Sequence, residues 1–501
     1  MRSSGILMPI TALPSPCGVG TLGADARAFL DFLSEAGQRC WQILPIGPTG
    51  YGDSPYQSCS SFAGNPYLID LEELRAAGLL LRKEYENLNW GNDPARVDYA
   101  LLYEHRLSVL RRAVTRLWAE DHPLLPALRQ FCAEEAWWLE DYALFMALKG
   151  RFQGASWSCW PAALKKREQE AMKEAQDELS DELRFWRGVQ FLFSVQWRRL
   201  RDEAAKRSIS LIGDLPIYAA EDSADVWADP GQFQMDETLH PIAVAGCPPD
   251  GFSATGQLWG NPLFDWTKMK QDGYRWWIRR IAFQFRFYDV LRIDHFRGFD
   301  SYYAIPAGAN TAERGSWQPG PGIDFFRTLE QALGKRPIIA EDLGFLTPSV
   351  HQLLADTGYP GMKVLEFAFD SRDGGGRSYQ PHNYPRNCVA YVGTHDNDTA
   401  LGWLQNAAPG DVALAREYLH TDPQEGEGWS MMRAIWSSAA KLTVVQMQDL
   451  LELGSEGRIN TPSVLGGNWQ WRALPGFDSP ALAARLRRYM ELYERVNIIK
   501  K

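Results

Sequence analysis

The sequence predicts an α/β fold, a (β/α)8 TIM barrel with helical and loop insertions at its C-terminal rim and no separate C-terminal β domain. Three observations predict it. Four short apolar runs end in acids: Ile209 to Asp214, Val290 to Asp294, Pro337 to Asp342 and Val389 to Asp396. Strand-like and helix-like segments alternate through the second half, and the acids at 294, 341 and 396 recur at intervals of 47 and 55 residues, the second spanning one further strand. The chain of 501 residues has the length of about three average domains, which a single barrel with insertions also reaches. We therefore take residues 1–501 as one catalytic barrel domain, with a mainly helical insertion over 98–207 and an active-site loop insertion over 240–266.

Taken in order, Ala24 to Gly37 carries Phe29, Leu30, Phe32 and Leu33 at helical spacing and stops at a glycine. Cys40 to Pro45 follows as a strand and leads into a long loop over 47–66 that holds Ser54 and Tyr56. Such length between ordered elements points to function. Residues 98–207 are rich in Ala, Glu, Lys and Leu with few strand signals, and the charge run from Lys165 to Glu182 reads as a solvated helix face. After the Asp214 strand, a serine or aspartate within Glu221 to Trp227 caps a short helix. Residues 245–262 read as an irregular stretch dense in glycine and proline. Its Phe252, Trp259 and Asn261 suit a flat, hydroxylated ligand. Tyr274 to Phe287 places Trp277, Ile281 and Phe285 on one helical stripe.

Beyond Asp294, Phe325 to Leu333 is helical, Pro337 to Glu341 is a strand, and Thr347-Pro348 opens a helix that closes at Gly358. Lys363 to Phe369 and Val389 to Val392 are strands, and Asn397 caps a helix to about Ala407. The tail, with Asn460 and Trp469, closes the barrel and ends in a helix from Pro480 to Val496.

Hydrophobic content of 45% and charged content of 23% describe a soluble globular protein, and a net charge of -10 argues against nucleic acid as partner. The 20 tryptophans supply flat faces for sugars or bases, although most large indoles belong to cores. The cysteines at 17, 40, 59, 132, 159, 247 and 388 are odd in number and form no metal-ligand spacing, as expected of reduced thiols. No apolar run has secretory or membrane-spanning length, so the expected location is cytoplasmic, with no membrane partner.

Four acids, His295, His395 and Arg292 at one rim leave two chemistries: a hard-metal site, or glycosyl transfer between an ionised carboxylate and a proton-retaining one. The environments favour the second. Arg292 shares a strand face with Asp294 and should hold it ionised as a nucleophile, whereas the apolar Pro337 to Ala340 run should keep a proton on Glu341. Asp396 is then free to stabilise positive charge or hold sugar hydroxyls, with both histidines donating to the same ring.

On Tyr51 to Gln57, Gly213 to Tyr218, Pro248 to Pro262, Arg292 to Gly298, Ala340 to Gly344 and Gly393 to Thr399, the chain resembles the 4-alpha-glucanotransferases (amylomaltases, or disproportionating enzymes) of the wider alpha-amylase group over nearly its whole length. The resemblance implies Asp294 as nucleophile, Glu341 as general acid/base and Asp396 as transition-state stabiliser. It implies malto-oligosaccharide or starch- and glycogen-derived glucans as substrates, with no cofactor, and a Phe252 loop that limits water on the acceptor side. Tyr56, Ser54, Asp214, Phe252, Trp259, Asn261, Arg292, His295, His395 and Asn460 are the substrate-binding candidates. An amylase-like alpha-1,4-glucan hydrolase is the alternative activity.

Overall fold

The computed structural model describes residues 2–50, 52–249, 255–344, 346–371, 376–422 and 424–496. Eight parallel strands build one sheet: β1 (Ser3–Leu7), β2 (Cys40–Gln42), β3 (Ser210–Leu215), β4 (Val290–Ile293), β5 (Ile338–Ala340), β6 (Gly361–Val364), β7 (Cys388–Tyr391) and β8 (Leu442–Gln446). Each lies beside its neighbours in the chain, and β8 returns to β1 with Ser3 opposite Leu442 and Leu7 opposite Gln446. Between β5 and β6 the Ala340 N–H donates to the Pro360 carbonyl at 3.0 Å, which closes the ring. The protein is a (β/α)8 barrel, as its alternating pattern predicts. Its strands read as short apolar runs because parallel strands are covered on both faces.

β1 opens on Ser3-Ser4-Gly5 and β8 breaks its apolar run at Thr443, and the sequence reading passed over both. Ser4 and Thr443 are register partners on these neighbouring strands, fully buried and hydrogen-bonded to each other at 3.2 Å, so polar residues stand where an apolar signal is expected. Gly5 is required by close approach: a Cβ there would lie 2.7 Å from the Cys40 Cβ. Two other boundaries also move. The strand expected over Lys363 to Phe369 is Gly361–Val364, and a 3-10 turn over Leu365–Ala368 follows it. The helix Ala400–Asn406 is capped by Thr399, whose hydroxyl accepts the Gly402 N–H, not by Asn397.

Between β2 and β3 lie the helices Tyr99–Leu117, Leu125–Arg151 and Ser180–Lys206 with the shorter Ala162–Lys165 and Gln169–Glu178. Of Gln169–Glu178 only Ala175 is buried, so the charge run faces solvent. The stretch 245–262, read as irregular, contains two strands. Ala243–Cys247 and Gln257–Pro262 pair antiparallel and join Ser301–Pro306 and Ser316–Pro319 in a four-stranded sheet outside the barrel. Gly246 is there for packing, since a Cβ would lie 2.1 Å from the Gln257 carbonyl oxygen, and a register shift between Val244 and Gly246 breaks the alternation that marks a strand.

Among the described residues, no disulfide forms and no helix is long and apolar enough to cross a membrane.

Candidate active site

Asp294 is the first residue past β4, and the chain turns sharply after it. His295 takes left-handed dihedrals (φ 49°, ψ 49°), which cost a non-glycine residue about 1–2 kcal/mol. The turn aims the His295 N–H at the Glu341 Oε2 (2.7 Å) and the Phe296 N–H at the Glu341 carbonyl (3.1 Å). Strain in one loop thereby positions the acid of the next.

Arg292 lies beneath both acids. Its Nη1 contacts Asp214 Oδ1 and Oδ2 at 2.6 Å each and Asp294 Oδ1 at 3.4 Å, while Nη2 contacts Glu341 Oε2 at 3.1 Å. The Arg292 and Asp214 side chains are 1% and 0% exposed, against 25% for Asp294 and 18% for Glu341. Expected to bind substrate, Asp214 and Arg292 instead lie under the floor of the cleft, where they hold other groups in place.

The Asp294 and Glu341 carboxyls shift in directions opposite to those expected. Burial and then the charge of Glu341 push the Asp294 carboxyl well above the usual range. Burial also pushes Glu341 upward, but Arg292, a hydrogen bond with Asp294 and the His295 N–H outweigh it and lower its pKa. Val290, Arg292 and Asp294 do alternate as expected, yet Arg292 lies closest to Asp214 and reaches Glu341 more closely than Asp294. Register along one strand does not reveal a guanidinium's partners on two others. The two carboxyls titrate as a pair around one proton.

Asp396 follows β7 in a turn where the Asn397 Oδ1 accepts the Thr394 N–H and hydroxyl, both at 2.9 Å. The Asn460 Nδ2 donates to Asp396 Oδ1 at 2.6 Å, the His395 Nε2 lies 3.3 Å from Oδ2, and Arg458 holds the Asp396 carbonyl at 2.8 Å. Burial raises the Asp396 pKa, but His395 and the Asn460 hydrogen bond more than reverse this and keep it a carboxylate. The Tyr56 hydroxyl joins the two halves, donating to Asp214 Oδ2 (2.9 Å) and lying 2.8 Å from the His395 Nε2. A continuous polar chain therefore runs from Asp396 through His395, Tyr56, Asp214 and Arg292 to Asp294 and Glu341.

These acids open on a cleft of about 1310 Å³, larger than the roughly 300–1,000 Å³ usual for small ligands. Ser54, Tyr56, Trp259, Asn261, His295, His395 and Asn460 all line it. The Ser54 Oγ accepts the Tyr56 N–H at 3.3 Å, and the Asn261 Nδ2 donates to the Ala219 carbonyl at 2.9 Å, so both also brace the wall. Trp259 meets His295 edge-on at 4.9 Å. Burial lowers the His295 pKa to about 4, so the ring is neutral near pH 7. Phe252 lies outside the described residues. Gln57, Trp469, Arg297, Trp317, Lys363 and Tyr379 also line the cleft and were not among the candidates. Gln57 and Trp469 sit in segments singled out from sequence, whereas Trp317, Lys363 and Tyr379 carried no motif. Among the described residues, no cluster of three or more His, Cys, Asp or Glu side chains is arranged to hold a metal ion.

Comparison with known proteins agrees with this geometry. The family described as 4-alpha-glucanotransferase matches residues 8–476. The chain is 48% identical to a 4-alpha-glucanotransferase of Thermus thermophilus over 99% of both chains. It is 45% identical to one of Clostridium butyricum over 97% of this chain and all of that one. Among solved structures, an amylomaltase from Streptococcus agalactiae in complex with acarbose matches with a TM-score of 0.96 at 42% identity, covering 99% of this chain and 100% of that one. With a shared barrel and identity of this order along the whole length, the chain belongs to the 4-alpha-glucanotransferase family, enzymes acting on alpha-1,4-glucans.

Proposed function

We propose that the protein moves alpha-1,4-glucan segments between malto-oligosaccharides by a retaining double displacement. Asp294 attacks the anomeric carbon, Glu341 protonates the departing 4-oxygen as that bond breaks, and Asp396 stabilises the positive charge that develops on the ring. The 4-hydroxyl of an acceptor glucan then attacks C1, gives its proton to Glu341 and releases Asp294. The observation that carries this reading is that one guanidinium contacts both Asp294 and Glu341 (3.4 and 3.1 Å) at the floor of one cleft. The two carboxyls hydrogen-bond to each other. Inverting enzymes hold their acids about 6.5–9.5 Å apart to admit a water, and groups this close favour a covalent glycosyl-Asp294 intermediate.

The two carboxyls share a proton across their hydrogen bond, the first displacement uses it from Glu341, and a glycosidic oxygen that accepts from Glu341 favours it there.

Incubation with maltotriose tests the reading. Glucose plus a ladder of longer oligomers, with the number of reducing ends constant, is expected. Maltose and glucose with rising reducing ends would make the protein a hydrolase.

A further inference from the structure

Of the 20 tryptophans, two are exposed, Trp137 (44%) and Trp317 (38%), and of these only Trp317 lines the cleft. Trp317 lies on the outermost strand of the small antiparallel sheet, opposite Tyr303, whose ring meets it at 5.2 Å and 63°. The Arg297 guanidinium lies 3.8 Å from its ring centroid. Arg297 is itself buried, three residues past Asp294, and its Nη2 donates to the Ser301 Oγ at 3.2 Å. An aromatic ring on an exposed edge strand is normally a liability. Here it is held flat against a buried cation that belongs to the same turn as Asp294.

Arg297 belongs to the turn whose His295 N–H holds Glu341, so the Trp317 ring it supports is tied to the loop that positions the acid.

We propose that Trp317 is a stacking platform for a glucose ring of the bound glucan that lies away from the bond being broken, which makes the enzyme prefer long chains over short ones. The apolar face of a pyranose packs on an indole, and a platform pinned by Arg297 is already ordered before the sugar arrives. This rests on the assignment of Asp294, Glu341 and Asp396 given above.

The test is calorimetric titration of maltose and maltoheptaose into the Asp294→Asn protein, with and without Trp317→Ala or Trp317→Leu. Both replacements should lower the ratio of maltoheptaose to maltose affinity about tenfold, or about 1.4 kcal/mol. Leucine covers the Arg297 stem without offering a flat face, so a leucine protein that keeps the wild-type ratio overturns the platform. So does an alanine protein that weakens both ligands equally. Failure of the underlying chemistry is read separately, from the maltotriose products of the wild-type enzyme.

Discussion

The barrel holds two groups of three carboxyls, and they differ in one respect. Asp214, Asp294 and Glu341 surround the buried Arg292, which contacts all three. Glu366, Asp398 and Asp449 follow β6, β7 and β8 and form no ion pair among the described residues. Arg458, whose charge acts on Glu366, is bonded to the Asn460 and Asp396 carbonyls. Burial, then Asp449 and Asp398, push the Glu366 carboxyl well above its ordinary range, and burial lifts Asp449 to about 7. Burial therefore favours the protonated forms of Glu366 and Asp449, whereas Arg292 offsets burial at Glu341 in the first group. A guanidinium bridging three strands turns buried acids into a pair able to exchange roles.

The sharpest way to separate the groups is by activity. Asp294→Asn should lower kcat/KM for glucan transfer at least about a thousandfold. The melting temperature should hardly move, because asparagine keeps the size of the side chain and a hydrogen bond with Glu341. Transfer within tenfold of wild type would remove Asp294 as the nucleophile. Arg292→Leu breaks the comparison itself. It leaves Asp214 enclosed without its cation and should cost about 3–5 kcal/mol in urea unfolding. A leucine protein as stable as wild type would mean that Arg292 does not hold the group together.

The second group should show itself in the pH dependence of stability. Both Glu366 and Asp449 bind a proton more tightly folded than unfolded. Their contribution is complete below the ordinary carboxylate range and is lost as pH rises through their folded pKa values, about 7 for Asp449. Asp449→Asn and Glu366→Gln should each flatten the fall in melting temperature between about pH 4 and pH 8, with Glu366→Gln changing it at pH 5 by no more than about 2 °C. A slope identical to wild type in both variants would show these acids to be ionised in the fold.

Much of this was readable from residues alone. Apolar runs ending in Asp214, Asp294, Glu341 and Asp396 marked strand ends because a parallel barrel buries both faces of each strand and leaves its polar chemistry at the rim. The helix closing at Gly358 was legible because its proline start and glycine stop are local signals. β1 and β8 were hidden because Ser4 and Thr443 satisfy each other between neighbouring strands, a pairing between residues far apart in the chain.

The alternating architecture and the identity of the rim acids are thus properties of the sequence, set by local periodicity and by what each residue type can bury. Which cation holds the paired carboxyls, and that Trp317 and Trp469 join Trp259 in lining the cleft, were decided only by the tertiary structure. Those properties depend on distances between strands, and the spacing of residues along one strand carries no information about them.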